Sequence, residues 1–176
     1  MERALVTVGH GTADRERLGE LLVGAGVALV VDVRRYPTSR TNPDVRQEAL
    51  EQWLPEAGVA YRWAPALGGR RHLRAGEPDP DTWWTVAAFR AYAAYTRTAQ
   101  FDAALDAVLA DAARRTTAVL CSESVWWRCH RRLIADVTVL GRGVPVEHLM
   151  PDGRLSPHRP AEGARRLPDG HLIWDG

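Results

Sequence analysis

The chain holds only two cysteines, Cys121 and Cys129, in 176 residues. Two cysteines cannot frame a disulfide-rich secreted fold, so a reducing, cytoplasmic setting is expected, with both as thiols or ligands. No apolar stretch approaches the roughly 20 residues that a membrane span needs, so no membrane partner is expected. The first apolar run, residues 4–8, is too short for a secretory leader and leads straight into Gly-His-Gly. Charge of one sign is also lacking: 23 basic residues meet 22 acidic ones, a formal net charge of +1. A broad phosphate-tracking face is thereby excluded, and only local basic clusters are left to hold anions. There is no solenoid period and no Cys-x-x-Cys knuckle. Gly9-His10-Gly11 is not a dinucleotide fingerprint, because Asp14 stands where the third glycine belongs.

What is present is a globular composition, 45% hydrophobic and 26% charged. Short apolar, β-branched runs at 4–8, 28–33, 59–63, 117–121 and 144–149 read as strands. Helical spacing fills 14–23, where Thr12 is a candidate cap, then 44–53, 83–96, 99–114 and about 126–140. Alternation of this kind predicts one α/β domain: a mostly parallel, Rossmann-like sheet of about five strands flanked by helices over residues 1–150. Residues 151–176 carry Pro-Asp-Gly turns twice and are expected to form an irregular extension or hairpin packed on that core. In a 3-2-1-4-5 sheet, His10 would lie beside Cys121 with Asp32 one strand away, at the ligand side of the strand ends.

Four groups of residues gather there. Cys121-Ser122-Glu123 ends a strand, and Cys129-His130-Arg131 follows near a helix start, where cations would lower a thiol pKa. Cys121 and Arg128 are separated by six residues, not the five of a cysteine-phosphatase loop, and a buried strand cysteine is an equal alternative. A metal ion held by Cys121, Cys129, His130 and His10 is a further option, although the spacing is not a standard zinc pattern, and no cofactor is expected. Asp32-Val33-Arg34 runs on to Ser39 and Arg40. An acid at a strand end suits a general base, the arginines and Ser39 suit phosphate, and an Asp–Arg ion pair is the alternative. Gly68-Gly69-Arg70-Arg71 offers close backbone approach and two cations. Trp83-Trp84 and Trp126-Trp127 are pairs whose rings diverge on a helix, so one ring of each, such as Trp127, could stack on a base.

Taken together, Thr7-Val8-Gly9-His10, Leu29 to Arg34, Pro37 to Arg40, Leu67 to Arg71, Cys121-Ser122-Glu123, Cys129-His130-Arg131 and Val146 to Leu149 resemble the Domain of Unknown Function 488 family. Gly11 and Ser122 depart from its pattern. The resemblance implies an α/β fold and one shared site drawn from His10, Asp32, Arg34, Ser39, Arg40, Cys121, Glu123, Cys129 and His130; it assigns no reaction.

Three functions compete. The first is an enzyme acting on a phosphate-bearing substrate, a nucleotide or nucleic acid, by hydrolysis of a glycosidic or phosphoester bond, removal of a damaged base included. Arg34, Arg40, Arg70, Arg71 and Arg131 would hold phosphates, Asp32 or Glu123 would act as base, and Ser39, His130 and Trp127 would contact substrate. The second is thiol-dependent sulfur transfer or redox chemistry through Cys121, with Cys129 as its partner. The third is a non-catalytic module binding nucleic acid or a small anion.

Overall fold

The computed structural model describes residues 3–176. Among the described residues, eight strands and five α-helices follow one another: β1 (Leu5–Gly9), α1 (Arg15–Gly24), β2 (Leu29–Asp32), α2 (Gln47–Glu56), β3 (Ala60–Trp63), α3 (Ala87–Tyr95), α4 (Ala99–Arg114), β4 (Thr117–Cys121), α5 (Arg131–Asp136), β5 (Val146–Leu149), β6 (Leu155–Pro157), β7 (Ala164–Arg166) and β8 (Leu172–Trp174). Six strands form one mostly parallel sheet, and β7 and β8 form a separate antiparallel hairpin. The α/β class and the hairpin agree with the sequence expectation.

The strand order does not. It is β3-β2-β4-β1-β5-β6, so β4 lies between β1 and β2 instead of outside β1. Every residue of β4 is buried, which suits the middle of a sheet covered on both faces. His10 still follows β1 beside Cys121, with Gly9 opposite Cys121, but β2 now pairs β4 directly, with Asp32 opposite Leu120. The main sheet also gains β6, which adds antiparallel to β5 through the turn at 151–153.

Two apolar cores cover the sheet. Leu18, Leu21 and Leu22 of α1 and Leu50, Trp53 and Leu54 of α2 pack on Val6, Val8, Val30 and Leu120. Residues of α3, α4 and α5 pack on Leu5, Val31, Val119 and Cys121. The chain leaves β2 toward the β3 edge on the first face and leaves β4 toward β5 on the second. Diverging exits from neighbouring strands open a crevice at their carboxyl ends.

Several local expectations shift. Asp14, not Thr12, caps α1, its carboxylate accepting from the Arg17 N–H. Helix α3 starts at Ala87, so Trp83 and Trp84 precede it and meet edge to face with centroids 4.8 Å apart. The expected helix at 126–140 is a 3₁₀ turn at Trp126–Arg128, then α5, then a π-wound turn at Val137–Gly141. The extension is tied down by polar contacts: Asp81 receives Arg97 and the Trp174 N–H, and Asp136 receives Trp174 Nε1.

Candidate functional site: a thiol pair among arginines

The crevice between β2 and β4 contains both cysteines. Cys121 closes β4 and Cys129 leads into α5, and their sulfurs lie 2.8 Å apart. That is longer than the bond of a disulfide, near 2.05 Å, and well inside the usual separation of unbonded sulfurs. Both are free thiols. Cys121 is 1% exposed and Cys129 7%.

The two thiols are unlike. Burial, and then the adjacent Cys129 sulfur, push the Cys121 thiol well above the ordinary value. Burial opposes ionisation of Cys129 as well, but the S–H of Cys121, the His130 ring and the Arg131 charge outweigh it and hold Cys129 well below the ordinary value. His130 Nε2 bonds the carbonyl of Val33 at 2.9 Å, which turns Nδ1 toward Cys129 Sγ at 3.5 Å. The Arg131 N–H also points at that sulfur, 3.5 Å away. These contacts favour the negative charge on Cys129 over Cys121.

Two adjoining cavities open on these sulfurs. One, of about 180 Å³, is lined by Arg34, Arg35, Tyr36, Thr38, Gly69, Arg70, Cys121, Ser122, Cys129 and His130. The second, about 280 Å³, shares Gly69, Arg70, Ser122, Cys129 and His130 and adds Glu123, Arg128 and Tyr92 among others. Gly68 and Gly69 are small so that their loop can lie close: a Cβ at Gly68 would stand 2.6 Å from the Arg35 backbone, and one at Gly69 3.1 Å from His130 Nδ1. Arg70 takes a left-handed backbone, φ 58°, and its carbonyl accepts from Arg35 Nη1. A non-glycine residue held there is a strained feature of the kind that clusters at functional sites. Tyr36 is 57% exposed, with the guanidiniums of Arg35 and Arg70 5.6 and 5.8 Å from its ring centre.

Of the other sequence candidates, Arg34 and Glu123 line the cavities and several make contacts within the scaffold. Asp32 is fully buried and its carboxylate is fully engaged: Arg34 reaches both oxygens, Tyr61 Oη donates to Oδ2, and the Arg34 N–H donates to Oδ1. It lines neither cavity, and the ion-pair alternative describes its surroundings. Arg34 also donates to the Val45 carbonyl and meets His10 Nε2 at 3.3 Å. His10 Nδ1 bonds the Gly11 carbonyl, and burial, with Arg34 adding, keeps its pKa low. His10 meets Arg34 and lines a separate cavity of about 570 Å³ with Ser122 and Glu123, and among the described residues no group of three or more His, Cys, Asp or Glu side chains is placed to hold a metal ion. Ser39 Oγ accepts from the Asn42 N–H. Arg71 folds back to the carbonyls of Gly68 and Pro65 and lies over Tyr95 at 3.9 Å. Arg131 is 1% exposed and lines neither cavity. Arg40 and Trp127 are exposed but lie outside both. Glu123 is half-buried on the second cavity, its Oε1 accepting from the Val125 N–H at 3.5 Å.

Sequence reasoning took Arg35 only among the arginines that follow Asp32 and gave no role to Tyr36 or Tyr92. Tyr36 follows those arginines directly, which was a usable signal; Tyr92 arrives on α3, distant in sequence, and had none.

The fold and site define a class: an α/β protein with a crevice at the strand ends, two thiols on its floor and arginines on its rim. The chain belongs to the family described as domain of unknown function DUF488, whose model matches residues 14–138. No curated protein and no solved structure matches it. No helix among the described residues is long and apolar enough to cross a membrane.

Proposed function

We propose that the protein is a dithiol enzyme in which Cys129 attacks and Cys121 resolves, acting on a small anionic substrate. The single observation that carries this reading is the 2.8 Å contact between a thiolate-favoured sulfur and a protonated one at the floor of an arginine-lined cavity. For a substrate disulfide RS–SR′, the Cys129 thiolate forms a bond to one sulfur and R′S⁻ leaves. The Cys121 sulfur then attacks Cys129, giving the Cys121–Cys129 disulfide, RS⁻ and a proton. The substrate gains two electrons and the protein loses two; a reducing thiol restores the pair. Among the described residues Arg35, Arg70 and Arg128 make no ion pair with a carboxylate, and they are the groups for the substrate's anionic part.

The test is oxidation of the full chain by one equivalent of a small disulfide, followed by peptide mapping. The expected product is one intramolecular Cys121–Cys129 bridge, and Cys121→Ser should stop at a mixed disulfide on Cys129. A mixed disulfide on Cys121, or no bridge in the wild type, overturns the reading.

A second reading keeps the phosphate-bearing substrate and rests on exposed Tyr36 beside Arg35 and Arg70, a surface on which a nucleobase can stack while phosphate meets guanidinium. In it, Glu123 is the carboxylate free to act as base. Nucleotide binding that weakens with salt and is lost in Arg70→Ala supports it; a nucleotide panel without binding at low salt removes it.

A further inference from the structure

Arg131 is a buried guanidinium with an unusual set of partners. Among the described residues it makes no ion pair with a carboxylate, and its Nε has no hydrogen-bond partner. Its Nη2 donates to the Glu123 carbonyl at 2.5 Å, the same carbonyl that lies 3.7 Å from Cys121 Sγ. Its Nη1 donates to Thr7 Oγ1 at 3.0 Å. From Thr7 a chain of buried side chains runs on. Thr7 Oγ1 meets His148 Nδ1 at 2.5 Å, His148 Nε2 meets His158 Nδ1 at 2.8 Å, and His158 Nε2 meets Asp136 Oδ1 at 2.6 Å.

One ordering of protons satisfies each contact. Arg131 donates to Thr7, Thr7 to His148, His148 to His158, and His158 to Asp136. Burial first, then His158 and Arg131, drive the His148 pKa down to about 2, so its ring stays neutral with one donor and one acceptor nitrogen. The Trp126 ring stacks flat on it, centroids 4.3 Å apart. The chain thus runs from a cation to a carboxylate, each link polarising the next. Its links come from β1, α5, β5 and the C-terminal extension. Thr7, His148 and His158 all lie outside residues 14–138, the part that the family model matches.

We propose that this chain, closed by His158 of the extension, is a positioning device for the thiol site: it holds Arg131 under the Cys121–Glu123 turn and so fixes the Arg131 charge and N–H against Cys129. The proposal rests on the dithiol reading. It makes the extension a working part of the site, beyond a cover for the core. The titratable and charged groups around Cys129 are Cys121 from β4, His130 and Arg131 at α5, Tyr92 from α3, Arg34, Arg35 and Arg70 across the first cavity, and Glu123 and Arg128 on the second. Of these, Arg131 alone is joined to the extension by the chain.

The experiment is the rate of Cys129 alkylation by iodoacetamide against pH in the full chain as wild type, Thr7→Val, Thr7→Ser and His158→Leu, with melting temperatures alongside. Thr7→Val keeps the volume and removes the hydroxyl link; His158→Leu has neither donor nor acceptor, breaks the chain from the extension and serves if Thr7→Val does not fold. The expected result is an upward shift of the midpoint by about one pH unit, so alkylation at pH values well below the wild-type midpoint slows by roughly tenfold, with Thr7→Ser restoring the wild-type profile. Profiles that superimpose on wild type while the melting temperature falls reduce the chain to a structural role and overturn the proposal. An ordinary cysteine midpoint in the wild type itself overturns the dithiol reading, and is seen before any variant is compared.

Discussion

Replacing Asp32 by Asn should unfold the protein far more readily while removing no catalytic group. Four donors converge on its two oxygens: the Arg34 N–H and Nε on Oδ1, and Arg34 Nη2 and Tyr61 Oη on Oδ2, at 2.7 to 3.2 Å. An asparagine of the same shape offers one oxygen. Its amide group must face two of these donors, and the Arg34 charge stays buried without its carboxylate. Breaking one side of a buried pair costs about 3–5 kcal/mol, a large share of a typical domain's total stability. For a domain of this size, that lowers the melting temperature by roughly 6–20 °C. Equilibrium urea unfolding followed by circular dichroism reads it directly, as a lower midpoint at unchanged slope. A variant within about 0.5 kcal/mol of wild type would refute the ion-pair account and return Asp32 to candidacy as a base.

Two further perturbations separate local causes. Gly9→Ala would put a Cβ 1.7 Å from the Glu123 carbonyl oxygen, which is backbone and cannot swing away. It should cost about 3 kcal/mol or more and disturb thiol reactivity, whereas Gly24→Ala, with open space around it, should be neutral or stabilising in the same urea assay. His171 donates to both Asp102 and Asp169, and its hydrogen bond to Asp102 is the main cause of its raised pKa. A raised folded value means stability fully present below the unfolded value near 6.5 and lost as pH climbs through the folded one. His171→Gln should therefore lower the melting temperature at pH 6 and leave it nearly unchanged at pH 9; equal losses at both would contradict the ion-pair origin.

Much of the fold was legible because periodicity follows burial. The limits of α4 and β4 match residues 99–114 and 117–121, where apolar spacing is uninterrupted and Thr98 supplies a cap. Strand order was not legible. β1 and β4 are both almost wholly buried, and nothing local to either says which lies beside β2. The same limit applies to the site. Motif spacing brought Cys121 and Cys129 into one cluster, but which sulfur carries the charge depends on His130 turning on the Val33 carbonyl and on Arg131 beneath, contacts that exist only once β2, β4 and α5 meet. Asp32 looked like a base because it ends a strand; its engagement by Tyr61 comes from the neighbouring strand β3. The histidines at 148 and 158 carried no motif, and their alignment with Asp136 arises from β6 folding back on β5.

The central claim is that Cys129 is the attacking thiolate and Cys121 its protonated partner. Alkylation of the reduced wild type by limiting iodoacetamide across pH 5–9 (a range roughly centred on ordinary thiol and imidazole titrations), with each cysteine quantified by peptide mass spectrometry, tests it directly. The account predicts labelling of Cys129 first, with a midpoint well below about 8.5, and a silent Cys121 throughout. Labelling of Cys121 first, or a Cys129 midpoint at or above that value, would contradict it.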